Sequence, residues 1–140
     1  MPKLAKLLTS TVIAATLATV GYAADNSSAE AFAAARLANF GSGNIEALLA
    51  QYTDDATIIS PMGVIDTAEG RRGMIEGIIG EFAQPGVTFE LISQTAQGDI
   101  VQFVWSAVTN ANVYDLGVET YVLKDGKAVY QTFAAKVAPK

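Results

Sequence analysis

The chain has 140 residues, 14 Asp plus Glu against 9 Lys plus Arg, and neither Cys nor His. Without those two residue types there are no disulfides, thiol nucleophiles, zinc thiolates or imidazole bases, so any catalysis must rest on carboxylates, Tyr, Arg, Lys or water. The net charge is −5 and the only adjacent basic pair is Arg71-Arg72, so no nucleic-acid partner is expected.

Residues 1–23 have the parts of a secretory signal: Lys3 and Lys6, an apolar run from Leu7 to Val20, and a small-residue close at Gly21-Tyr22-Ala23. That run has 14 residues, short of the roughly 20 that cross a bilayer. Cleavage after Ala23 leaves one domain, 24–140, carrying 7 basic and 14 acidic residues, a net charge of −7. A periplasmic or secreted location is expected, with no stable membrane insertion once the signal is removed.

Ser27-Ser28-Ala29-Glu30 has the form of a capping box, and Phe32, Leu37 and Phe40 extend a helix from about Ser28 to Phe40. After Gly41-Ser42-Gly43, Asn44 is placed to cap a second helix with the stripe Ile45, Leu48, Leu49 and Tyr52, ended by Asp54-Asp55. Thr57-Ile58-Ile59 reads as a short strand stopped by Pro61, turning through Met62-Gly63 into Val64-Ile65. Met74, Ile75, Ile78, Ile79 and Phe82 predict a third helix from about Arg72, which leaves Arg71-Arg72 at a solvated loop edge. Its Gly73, Gly77 and Gly80 each weaken it by up to about 1 kcal/mol relative to Ala. Beyond Pro85-Gly86 the period becomes two, and strands are predicted over Val87–Thr95, Ile100–Thr109, Val113–Leu123 and Ala128–Val137, joined by short turns as an antiparallel meander. The class is α+β.

That order, with the stretch from Gly43-Asn44-Ile45 to Tyr52-Thr53-Asp54-Asp55-Ala56-Thr57, resembles the nuclear transport factor two-like superfamily, in its SnoaL-like and ketosteroid isomerase-like branch. The resemblance implies a cone-shaped curved antiparallel sheet wrapped around three N-terminal helices, a pocket inside it, and a homodimer. Isomerases, cyclases, dehydratases, non-enzymatic binders and adaptors share that cone, so function rests on the pocket residues. The isomerase pattern carries over unevenly. Ser60 stands where the general-base Asp precedes the strand-ending Pro, Arg36 stands at the Tyr donor on the first helix, and Glu119 matches the acid on the third long strand. The two His of the scytalone dehydratase-like branch have no counterpart.

Strand alternation places Val101, Phe103, Trp105 and Ala107 on one face, with Glu119, Tyr121 and Leu123, then Val129, Gln131, Phe133 and Ala135. Arg36, Glu119 and Gln131 then project among aromatics, the usual make-up of a small-molecule site. The candidate ligand-binding residues are Arg36, Tyr52, Ser60, Phe103, Trp105, Glu119, Tyr121, Gln131 and Phe133, with Glu119 the candidate catalytic acid or base. Arg36 and Glu119 are expected to pair, because an unpaired guanidinium among aromatics costs several kcal/mol. No metal site or cofactor motif is found; the Gly residues form no phosphate loop, and Asp54-Asp55 lacks the ligand spacing of a calcium loop. The leading reading is a binder of a small, mostly apolar molecule. The alternatives are an isomerase, cyclase or dehydratase using Glu119, and a non-enzymatic dimerisation or partner-binding module. Protein recovered from its host is expected to begin after Ala23 by N-terminal sequencing; an intact Met1 would contradict export.

Overall fold

The computed structural model describes residues 25–140, and the signal segment lies outside them. Helix α1 (Ser27–Gly41) buries Ala29, Phe32, Ala33 and Arg36, a stripe spaced i, i+3, i+4, i+7. The expected capping box does not form, because Ser27 is already helical. Asp25 Oδ1 accepts from the Ser27 amide at 2.9 Å, while the side chain of the N-cap residue Asn26 is turned away to accept from the Gly98 amide at 2.7 Å. Asn44 does cap α2 (Ile45–Leu49), its Oδ1 accepting from the Ala47 amide at 3.1 Å.

The second helix is shorter than its stripe suggests. Tyr52, Asp54 and Asp55 belong to strand β1 (Tyr52–Ser60), not to a helix end. Two partners draw the chain out. β1 runs parallel to β6 (Lys127–Pro139), and its register slips between Tyr52 and Thr57. The carbonyls of Asp54 and Ala56 in that irregular stretch receive Arg71 Nη2 and Nη1, both at 2.7 Å. Arg71 is therefore a buried, 4 % exposed staple on helix α3 (Ala68–Phe82), which starts earlier than predicted because Thr67 Oγ1 caps the Gly70 amide at 3.1 Å. Only Arg72 is at the surface, where it pairs with Glu46 and Glu76.

The hairpin is as expected, β1 turning at Met62 into β2 (Gly63–Ile65). β3 (Thr88–Gln97), β4 (Ile100–Val108), β5 (Asn112–Lys124) and β6 form the antiparallel meander. The sheet order is β2-β1-β6-β5-β4-β3, antiparallel except for the β1–β6 pair. It is a curved, unclosed sheet with the three helices on its concave side. Where β5 meets β6, Val122 pairs with Tyr130 but Leu123 with Ala128, so Val129 is the extra residue of a bulge. Ala128, fully buried, takes the inward place that strict alternation assigns to Val129.

Gly117 on β5 faces Trp105 on β4 and Ala135 on β6. A Cβ there would lie 2.2 Å from Trp105 Cε2, so the missing side chain is what lets the indole lie flat on the sheet. Gly117→Ala is expected to lose about 1–3 kcal/mol in denaturant unfolding, as overpacking does, with a shift in the emission of Trp105, the sole Trp. An unchanged midpoint and spectrum would show that the indole has room to move.

Candidate functional site

Strand register sets the floor of the site as ranks of side chains across β4, β5 and β6. Phe103, Glu119 and Phe133 form one rank, Val101, Tyr121 and Gln131 the next, and Trp105, Gly117 and Ala135 a third. Trp105 and Phe133 lie nearly parallel, 12° apart with ring centroids at 6.4 Å. Phe82 of α3 meets Trp105 edge-on at 5.7 Å. Between this floor and the helices is a cavity of about 480 Å³. Its walls are mainly apolar, and Ser60, Pro61 and the 87 % exposed Met62 contribute at the hairpin turn.

One end of the cavity is polar and closed by α1. The Arg36 guanidinium lies 5.2 Å from each of the Tyr52 and Tyr121 ring centroids. Its Nε donates to the Tyr121 hydroxyl at 3.1 Å, Nη2 to the Tyr52 hydroxyl at 2.9 Å and Nη1 to the Leu48 carbonyl at 3.2 Å. The Tyr52 hydroxyl donates to Gln131 Oε1, Gln131 Nε2 donates to the Tyr121 hydroxyl at 3.1 Å, and the Tyr121 hydroxyl donates to Glu119 Oε2. Burial disfavours the Arg36 charge, but the two phenol oxygens and Glu119 outweigh it and hold the guanidinium above the usual arginine range. Burial is also the largest cause raising both phenols, so Tyr52 and Tyr121 stay neutral.

Every candidate residue belongs to this assembly, in two layers. Arg36, Ser60, Phe103, Trp105, Glu119, Gln131 and Phe133 line the cavity. Tyr52 and Tyr121 stand behind them, joined to the site through Arg36, Gln131 and Glu119. The expected Arg36–Glu119 pair is not a direct contact: the Tyr121 hydroxyl bridges it, because the Tyr121 ring occupies the neighbouring rank and reaches the guanidinium first. Three of the five guanidinium protons of Arg36 are thereby given to protein acceptors.

Sequence reasoning missed a second acid. Glu81, at the end of α3, lines the cavity and accepts from Thr109 Oγ1 at 2.7 Å, Asn112 Nδ2 at 2.8 Å and the Tyr114 hydroxyl at 2.9 Å. Burial would raise its carboxyl, but those donors outweigh it and hold it below the usual range. Tyr114 in turn is pushed up to about 12 by burial and by Glu81. Gly73 and Gly77 were also missed as lining residues, and with Glu81 they form an i, i+4, i+8 row on α3. A search for apolar stripes passes over such a row. Nothing lies within 4 Å of a Cβ built at either glycine, so the cavity extends to the helix backbone there. Trp105 Nε1 is buried without a hydrogen-bond partner.

A curved open sheet, three helices on its concave side and an apolar cavity with a polar end define the nuclear transport factor two-like cone. A model of the SnoaL-like domain family matches residues 30–131, and the chain belongs to that family. Among solved structures, a candidate ketosteroid isomerase from Kribbella flavida is similar at 15 % identity over 84 % of this chain and 84 % of its own, with TM-score 0.66. A nuclear transport factor two-like protein of unknown function from Mesorhizobium loti matches at 18 % identity over 79 % and 93 %, with TM-score 0.65. A SnoaL-like protein of unknown function from Burkholderia thailandensis matches at 19 % identity over 80 % and 97 %, with TM-score 0.59. At such identities the likeness shows the fold alone. No curated protein sequence matches the chain.

The Glu81 network carries a pH signature. Its folded pKa lies below the unfolded value near 4.5, so its contribution to stability is complete above that value and is lost as pH falls through the folded one. Glu81→Gln is expected to lower stability by about 1 kcal/mol near pH 7. The gap to wild type should close as pH falls below about 4.5 in urea unfolding series. A gap that stays constant across that range would separate Glu81 from the acid dependence.

Proposed function

We propose that the protein is an exported binder of a small, mostly apolar molecule, which it holds in the cone with the molecule's polar end at Glu119 and Gln131. The observation that carries this reading is the cavity itself, about 480 Å³ of mainly apolar wall, with Arg36, Glu119 and Gln131 grouped at one end and Glu81 held by its own donors elsewhere. That volume lies within the range of small-molecule sites, and that division of polarity is how they fix orientation. Signal-like residues 1–23 support export to the periplasm or beyond the cell. A homodimer is supported by an apolar row on the sheet's outer face, where exposed Ile100, Val122 and Tyr130 are cross-strand neighbours.

One observation favours a second reading, an isomerase, cyclase or dehydratase with Glu119 as acid or base. Glu119 lines the cavity and, among the described residues, only its Oε2 has a hydrogen-bond partner. The second carboxylate oxygen is left to exchange a proton with a bound molecule.

Gly77 separates a binding cavity from a packing defect. Gly77→Leu puts a side chain into open cavity and replaces a poor helix former, so the variant is expected to be at least as stable as wild type. Naphthalene binding, measured by titration calorimetry, is expected to weaken at least about tenfold, the loss that blocking apolar contact of this size produces. Equal binding by both proteins would exclude the cavity as the site. Native mass spectrometry of protein purified from its host reads the retained molecule and the oligomeric state together.

A further inference from the structure

We infer that the polar group which the bound molecule presents to Glu119 is a hydrogen-bond donor, a hydroxyl or N–H carried on an aromatic or otherwise flat apolar body. This rests on the cavity being a binding site and follows from tracing the hydroxyl protons around Glu119. A hydroxyl has one proton and two lone pairs. The Tyr121 oxygen accepts from Arg36 Nε and Gln131 Nε2 and gives its proton to Glu119 Oε2, so it is full. The Tyr52 oxygen accepts from Arg36 Nη2 and gives its proton to Gln131 Oε1. Neither phenol has a proton left for an occupant. Ser60, the hydroxyl at the hairpin turn, donates to the Gly63 carbonyl at 3.3 Å and accepts from the Met62 amide at 3.2 Å.

Charge points the same way. Arg36 is a buried cation, and the acid joined to it, through Tyr121, is Glu119. A buried guanidinium needs a compensating negative charge, which requires Glu119 to be a carboxylate. An ionised carboxylate only accepts hydrogen bonds. Its free Oε1, between Phe103 and Phe133, therefore meets the occupant as an acceptor and repels an anion. The nearly parallel Trp105 and Phe133 rings beside it favour a flat body.

Four probes of one shape test this by titration calorimetry on the purified protein: naphthalene, naphthol, its methyl ether and naphthoate. Methylation removes the donor and keeps the body. Naphthol is expected to bind at least about tenfold tighter than the ether, the range for a hydrogen bond to a charged acceptor, and naphthoate no tighter than naphthalene. In Glu119→Gln the amide oxygen can keep the Tyr121 proton while its NH₂ faces the cavity, so the naphthol-to-ether ratio should fall to about threefold or less. Equal binding of naphthol and its ether by wild type overturns the inference and leaves the cavity reading intact. Tighter binding of naphthoate than of naphthol also overturns it, and returns Arg36 to the role of anion site. Failure of all four probes, naphthalene included, overturns the cavity reading and the inference with it.

Discussion

The rest of the site follows from one buried charge. Arg36 faces inward because it continues the stripe of Ala29, Phe32 and Ala33 on α1, and at 8 % exposure its guanidinium has almost no water to solvate it. Such a group persists only where each of its faces meets an acceptor or an aromatic ring and its charge is balanced. Tyr52 comes from β1, Leu48 from α2, and Tyr121 with Glu119 from β5. Three consecutive elements, α1, α2 and β1, and the sequence-distant β5 thus meet at one group, which fixes both the closed end of the cone and the hydrogen bonds around it.

Stability and cavity are in tension elsewhere. A helix that covers the sheet would normally fill the space beneath it, and α3 carries Ile75 and Ile79 that do so. On an adjoining face of the same helix Gly73 and Gly77 leave the space open, at up to about 1 kcal/mol each in helix propensity. The compensation comes from side chains that tie α3 down at both ends. Arg71 holds the irregular carbonyls of β1 near its start, and Glu81 gathers Thr109, Asn112 and Tyr114 at its finish. A helix fastened at its ends can tolerate an unfilled middle.

The meander was legible because alternation, turn residues and burial agree there, and Phe103, Trp105, Glu119, Tyr121, Gln131 and Phe133 all fall on the inner face that alternation assigns. Alternation failed at Val129, where a bulge inserts one residue and no local signal marks it. The stretch from Tyr52 to Asp55 has helical spacing, but pairing with β6 takes its backbone into a strand, a tertiary decision invisible to a local pattern. Arg71 is the opposite kind of failure. A charged pair beside a predicted helix start reads as surface, and only the irregular β1 carbonyls explain why one of the two goes inward. Glu81 was missed because its donors come from a turn nearly thirty residues on, and the pairing of Arg36 with Glu119 was foreseen in its participants but not in the phenol between them.

That phenol changes what the site can say to a ligand. In the isomerase-like pattern the acid on the third long strand is a donor to a developing oxyanion, and Glu119 stands at the matching position. Whether a carboxyl group there donates or accepts is decided by its neighbours, since a neutral acid in an apolar site holds a proton and an acid answering a buried cation does not. With Arg36 in place of the Tyr donor, and Tyr121 handing its proton to Oε2, Glu119 itself is left with a free acceptor oxygen. Ser60 in place of the general base also removes the group that would take the first proton. The cone is kept while its polar groups differ, so the family's fold transfers to this chain and its chemistry has to be read from Arg36, Tyr121 and Glu119 themselves.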